Sequence, residues 1–261
     1  MRERQENVAA AVLWMLFTTM WFIALDSVAK QLLNVAGMPL VQVVWGRFFF
    51  HAIIGITAFA LVWRRRVASR VPRLQLTRSS LLFVTTALFN AGLLTVPLAT
   101  ATAIMFLAPI MVTALSVPFL GEHVGPRRWS GVAAGFLGAL IIIRPGTEGF
   151  DLGGIFLLAA ALTNSIYQLI TRSVASYDHP HTTFLYTALA GAVLSSIAVP
   201  FVWEPPQVSG WVLLILMGVI GGVGHLFLIF AFDKAPAAVI APFAYSALIW
   251  ASIAGYVFFG E

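Results

Sequence analysis

The chemically active side chains of this chain sit where charge is expensive. Asp26, Lys30 and Arg47 fall within or at the ends of long apolar runs. An ionisable group in such a run is a functional candidate by default, because hydrocarbon solvates charge poorly. Arg47 lies about 10 Å into the second run at 1.5 Å of rise per residue, and Asp26 lies at similar depth near the end of the first. Two readings stand open. Asp26 and Arg47 form a structural or gating ion pair, with Lys30 as the alternative partner of Asp26 at i,i+4 spacing; or Arg47 meets an anionic group of a bound molecule directly. His51, one helical turn beyond Arg47, reads as a polar core contact ahead of a proton carrier.

Further polar groups lie deeper in the chain. His225 closes the run Gly221-Gly-Val-Gly-His225, where glycines let a helix or a ligand approach closely. It is divided evenly between a packed histidine and a cavity residue. Asn90, Asn164 and Gln168 fall near mid-membrane, and Asn164 and Gln168 share a helix face. Each bridges helices or lines a cavity. Phe106 and Tyr245 stand beside Pro109 and Pro242; such prolines break the backbone ladder and free carbonyls. Aromatic walls there suit planar or apolar molecules. Trp14 and Trp21 are packing residues or further cavity wall. Glu122 is expected to anchor a loop, and the small residues Gly131, Ala134, Gly135 and Gly138 to pack helices.

Several chemistries are excluded. The chain has no phosphate-binding Gly-x-x-x-x-Gly-Lys-Ser/Thr loop, no His-Glu-x-x-His metal motif and no Gly-x-Ser-x-Gly elbow. It has no cysteine, hence no disulfide, thiolate ligand or cysteine nucleophile. No catalytic residue, metal site or cofactor is expected. A membrane enzyme acting on a lipid or peptide needs a clustered catalytic set, which is not visible. A non-transporting scaffold or receptor is the third class, and it predicts no stabilisation by ligands.

The elements that must hold these residues follow from composition. Hydrophobic residues make up 60% of the chain and charged residues 10%, against about 25% charged in soluble domains. Lipid must therefore solvate most of the surface. A crossing needs about 20 mostly apolar residues, and nine blocks qualify: 8–33, 40–63, 79–96, 98–120, 128–144, 153–173, 182–202, 209–232 and 236–259. The first is too long for a signal-peptide core and reads as a retained helix. With the N-terminus inside, the inner segments hold Arg2, Arg4, Arg64, Arg65, Arg66, Arg70, Arg73, Arg78, Arg127, Arg128, Arg172 and Lys234. The outer segments hold only Lys30 and Arg144. This asymmetry places the N-terminus in the cytoplasm and accounts for the net charge of +5 without nucleic acid.

An internal repeat sets the architecture. Phe119-Leu-Gly-Glu122 closes the fourth block and Phe258-Phe-Gly-Glu261 the ninth, 139 residues on. The same offset carries Pro97 onto Pro236 and Phe106 onto Tyr245. A unit of five crossings is odd, so its second copy enters the membrane inverted, a common plan for secondary transporters. The expected division is 1–146 for the first unit and 147–261 for the second. The second unit is expected to lack its last crossing, so nine of ten helices are present and about 24 further residues would complete it by the repeat logic.

The run Ala101-Thr-Ala-Ile-Met-Phe-Leu-Ala-Pro109 through Phe119-Leu-Gly-Glu122 resembles the EamA repeat of drug/metabolite transporters, as does Gly131-Val-Ala-Ala-Gly-Phe-Leu-Gly-Ala-Leu-Ile-Ile-Ile-Arg-Pro-Gly146. Asp26, Lys30 and Arg47 fit the same likeness, and within the family the chain is most similar to members described as S-adenosylmethionine or riboflavin transporters. The resemblance implies an all-α polytopic membrane protein with a central cavity between inverted repeats. The expected function is secondary transport of a small organic metabolite by alternating access. Phe106, Tyr245, His225, Asn90, Asn164, Gln168 and Trp21 are the expected substrate-binding residues, with Asp26, Lys30 and Arg47 in gating or ion pairing. The expected partners are the metabolite and the bilayer of a bacterial inner membrane, with a homodimer left open and nucleic acid excluded.

Overall fold

The computed structural model describes residues 7–58, 60, 68–121, 123–143 and 152–260. The charges expected in topogenic segments at 2, 4, 64–66 and 144, and the loop residue Glu122, lie outside them. Every regular element among the described residues is helical. Helix α1 spans Val8–Lys30 and continues as a π-helical turn, Gln31–Val35; α2 spans Leu40–Ala58 and α3 Pro72–Leu93. Then come α4 (Leu98–Met105), α5 (Leu107–Leu120), α6 (Pro126–Ile143), α7 (Leu152–Val174), α8 (Pro180–Ala198) and α9 (Val208–Lys234). The last stretch is α10 (Ala237–Ile240), a 3₁₀ segment Ala241–Ser246, α11 (Ala247–Ala254) and a π-helical turn Gly255–Phe259.

Each of the nine apolar blocks is thus occupied by helix. Seven helical stretches are long and apolar enough to cross a bilayer; α3 and α6 complete the set by position. The chain is a polytopic all-α membrane protein. Its large apolar side chains also face outward, Phe119, Val193, Ile197, Ile249, Ile253 and Val257 among them, as a lipid-solvated surface requires.

Local chemistry sets the helix ends and breaks. The Asn7 side chain accepts from the Ala10 N–H and caps α1. Pro72, Pro126 and Pro180 open α3, α6 and α8, where a missing N–H costs nothing. Pro109 cannot donate to the carbonyl of Met105, four residues back, and α4 ends at Met105. Phe106 sits at that break, with φ −68° and ψ −8°. The repeat offset recurs in the backbone. Pro97 and Pro236 cap their helices with φ −56° each, and Gly121 and Gly260 terminate theirs at φ 65° and 66°, a left-handed conformation that favours glycine.

The interior is a set of close helix pairs. Helix α1 packs on α9, and α3 on α7; α2 meets α8 and α9, while α3 also meets α8. Helices α4 and α5 pack on α7, and the 3₁₀ segment and α11 pack on α1. Glycines make the closest approaches possible. A methyl at Gly218 would lie 2.9 Å from the backbone nitrogen of His51, and one at Gly224 2.8 Å from the Phe22 ring. The expected packing face of α6 is different: a methyl at Gly131 or Gly138 would meet nothing within 4 Å, so those positions support no helix contact among the described residues.

Candidate functional site

A cavity of about 160 Å³ lies between the helices. Met15, Thr18, Thr19, Phe22 and Asp26 of α1, Arg47 of α2, and Leu82, Thr85, Thr86 and Phe89 of α3 border it. Thr102 and Met105 of α4, Phe106 at the break, and Pro109 of α5 continue the wall; Asn164, Tyr167 and Gln168 of α7 and His225 and Leu228 of α9 complete it with Ala244 and Ala247. Its surface is mostly apolar, as in most small-molecule sites, although eleven of the lining side chains carry a polar or charged group. Its volume is below the roughly 300–1,000 Å³ of pockets for drug-sized ligands, so a ligand of that size requires the helices to part.

A buried polar chain runs through the wall. Arg47 Nη2 contacts His225 Nε2 at 3.1 Å, Tyr167 Oη contacts His225 Nδ1 at 3.3 Å, and Arg78 Nη2 donates to Tyr167 Oη at 3.4 Å. Arginine has only donors, so Nε2 of His225 must accept. The neutral ring then carries its proton on Nδ1 and donates it to the Tyr167 oxygen. That oxygen accepts twice, from His225 and from Arg78, and the Tyr167 proton has no acceptor left among the described residues. His225 is held neutral by this arrangement, because a second ring proton would point at the Arg47 guanidinium.

The same family model matches the chain over residues 9–144 and again over 151–261, as an EamA-like transporter. The chain belongs to the EamA-like transporter family. Among its relatives, a riboflavin transporter of Rhizobium johnstonii is 28% identical over 255 residues, 97% of this chain and 84% of the relative. An S-adenosylmethionine uptake transporter of Rickettsia bellii is 28% identical over 220 residues, 84% of this chain and 76% of the relative. One protein of known crystal structure has a TM-score of 0.75 at 20% identity, covering 95% of this chain and 88% of its own. That likeness concerns the fold. This EamA-like protein is an integral membrane transporter.

Six of the residues singled out from the transporter's sequence border the cavity: Phe106, His225, Asn164, Gln168, Asp26 and Arg47. The other four do not. Tyr245 stands behind Phe106, with ring centroids 5.1 Å apart and planes inclined at 61°, and its hydroxyl reaches the Phe106 carbonyl at 3.5 Å. Asn90 is buried off the wall, with its amide nitrogen unpartnered among the described residues. Trp21 packs edge-on to Phe227, 6.3 Å between centroids. Lys30 places its ammonium 4.9 Å above the Phe259 ring. The expected direct pair between Asp26 and Arg47 is replaced by the Arg47–His225 contact; the two charges interact only through space. His51 is fully buried, packed on the rings of Phe184 and His225.

Two residues of the EamA-like site escape a reading by blocks. Arg78, counted above with the cytoplasmic arginines, is fully buried in α3. It donates to the hydroxyls of Thr171 at 2.9 Å, Thr187 at 2.6 Å and Tyr167. Tyr167, also fully buried, links it to the cavity. The signal was present in spacing: Gln75, Arg78, Ser79, Thr85, Thr86 and Asn90 form a polar stripe at helical periodicity, and all six are buried.

Proposed function

We propose that this chain moves a small organic metabolite with a planar or apolar body across a bacterial inner membrane, by alternating access at the cavity between two inverted repeats. The observation that carries this reading is the cavity itself, enclosed by helices of both halves and walled by Phe22, Phe89 and Phe106 beside a set of polar side chains. The division at 1–146 and 147–261 is supported by the helix contacts. Exchanging the first helix of each half, and so on in order, turns the α1–α9 pair into α7–α3 and leaves α2–α8 unchanged. It also turns the packing of α4 and α5 on α7 into that of α11 and the 3₁₀ segment on α1. Five crossings per unit then make the relation an inverted one.

Two latches between the halves, one at the start of α3 and one at the start of α2, suit the same reading. At the first, Asp178, in the α7–α8 turn, accepts from the Arg70 N–H and Gln75 Nε2 at 2.8 Å each and from the Ser69 hydroxyl. At the second, Gln42 exchanges two hydrogen bonds with the backbone of Glu204, at 2.7 and 3.0 Å. In this reading both are closed here, and release of one at a time opens the cavity to one side and then the other. Phe106, His225, Asn164 and Gln168 make the contacts to substrate, and Asp26 and Arg47 hold the charged end of the chamber. The N-terminus faces the cytoplasm, from the distribution of arginine. The test is uptake into vesicles reconstituted with the purified chain, with riboflavin and S-adenosylmethionine, the molecules named for its relatives, among the compounds offered. Time-dependent accumulation over protein-free vesicles is expected for at least one metabolite. None for any compound would sink the reading.

A further inference from the structure

The polar wall of the cavity specifies the charge of what enters it. We infer that the transporter takes organic monocarboxylates, whose carboxylate docks between the Arg47 guanidinium and the Tyr167 hydroxyl; this rests on the cavity being the transport site. Donors without acceptors carry the argument. Arg47 is 7% exposed and its Nε has no hydrogen-bond partner among the described residues. The Tyr167 proton is left over once Arg47 has fixed the tautomer of His225, because His225 and Arg78 already use the phenol oxygen as their acceptor. Both residues border the cavity. Buried donors of this kind want an oxygen acceptor, and leaving them without one is costly. A carboxylate offers two oxygens with several lone pairs and matches the guanidinium fork.

Charge gives the same answer independently. Arg47 borders the cavity and Arg78 stands one hydroxyl behind it. The hydrogen-bond partners of Arg78 are three hydroxyls, none of them charged. Asp26 is the one carboxylate in the lining. Among the described residues neither arginine has a carboxylate at hydrogen-bond distance: the buried Asp178, beside Gln75 one turn along α3 from Arg78, is taken up by Ser69, the Arg70 N–H and Gln75. A bound anion therefore answers Arg47, whereas a bound cation adds to an interior where unpaired charge is expensive. Phe22, Phe89 and Phe106 take the apolar body.

The experiment offers reconstituted vesicles a soluble metabolite extract of bacterial cells, supplemented with riboflavin and S-adenosylmethionine, and identifies what accumulates by mass spectrometry. Monocarboxylates are expected to be enriched over protein-free vesicles. Tyr167→Phe should raise the half-saturation concentration of the enriched carboxylate by about ten- to a hundredfold, the range for a hydrogen bond to a charged group, with little change in maximal rate. A purely structural tyrosine would lower the maximal rate instead, and that result overturns the assignment. Arg47→Gln should abolish carboxylate uptake; if it does not fold, Arg47→Lys, which keeps the charge but loses the fork, should weaken it. Enrichment of uncharged, net cationic or phosphorylated compounds in place of monocarboxylates also overturns it. Accumulation of nothing at all removes the transport reading and the carboxylate subsite together.

Discussion

At the scale of single residues, Arg78 poses the sharpest question, because a fully buried cation without a carboxylate partner is a cost to folding. Its three partners do not need it. The hydroxyls of Thr171 and Thr187 already donate to carbonyls one turn back, at 2.7 and 2.8 Å, and lose only an acceptor's role. Arg78→Met should therefore leave the thermal unfolding midpoint in detergent unchanged or higher, while transport falls steeply. A midpoint lowered by several degrees would show that the arginine holds the fold together. Phe106 makes a second case. It borders the cavity whereas Tyr245 stands behind it. Phe106→Ala should weaken substrate binding by about 1–3 kcal/mol, the range for burying a large apolar side chain. Tyr245→Phe, which keeps the ring contact, should change binding little. Equal effects in a saturation assay would contradict this order.

At the scale of elements, the breaks and close approaches matter more than the helices themselves. Helix α9 lies against α2 because Gly218 has no side chain; an added methyl would meet Phe50 Cβ at 2.3 Å and backbone atoms of Phe50 and His51 at 2.9 Å. Backbone cannot step aside as a flexible side chain does. Gly218→Ala should destabilise the chain by about 1–3 kcal/mol, as overpacking does, and disturb His51 and His225 with it; chemical unfolding in detergent measures this. Unaltered stability would mean that α2 and α9 are free to slide. Helix existence was legible in the apolar blocks because lipid demands long, satisfied helices. The start of α3 was not: Arg73, Gln75 and Arg78 lower its hydropathy, and the burial of Gln75 and Arg78 depends on α7 and α8 covering them.

At the scale of the whole molecule, orientation is the property with the plainest readout. Arg78 leaves the list of topogenic arginines once it is placed inside the bundle, yet the excess on the side of Arg70 and Arg73 survives. Because the chain has no cysteine, single cysteines are specific probes. Arg70→Cys and Glu204→Cys both replace exposed residues. In intact cells an impermeant thiol reagent should label the second and not the first. The reverse pattern would invert the topology.

Composition and period alone determined that this is a many-helix membrane protein with a repeat, since the hydrophobic effect and the need to satisfy backbone groups act on every residue wherever it lies. The repeat was readable because Pro97 and Pro236, and Gly121 and Gly260, meet backbone demands that are local: a proline before a helix, a glycine at positive φ. Which polar residues share a wall was decided only by tertiary structure. Arg47, Tyr167 and His225 come from three helices and lie up to 178 residues apart. Asp26 and Arg47 looked like a natural pair on depth and charge, but the close approach of α9 to α2 through its glycines gave Arg47 to His225 instead. Helix rotation is set by the fit of glycines to side chains across the bundle, a property of packed pairs that no single segment carries.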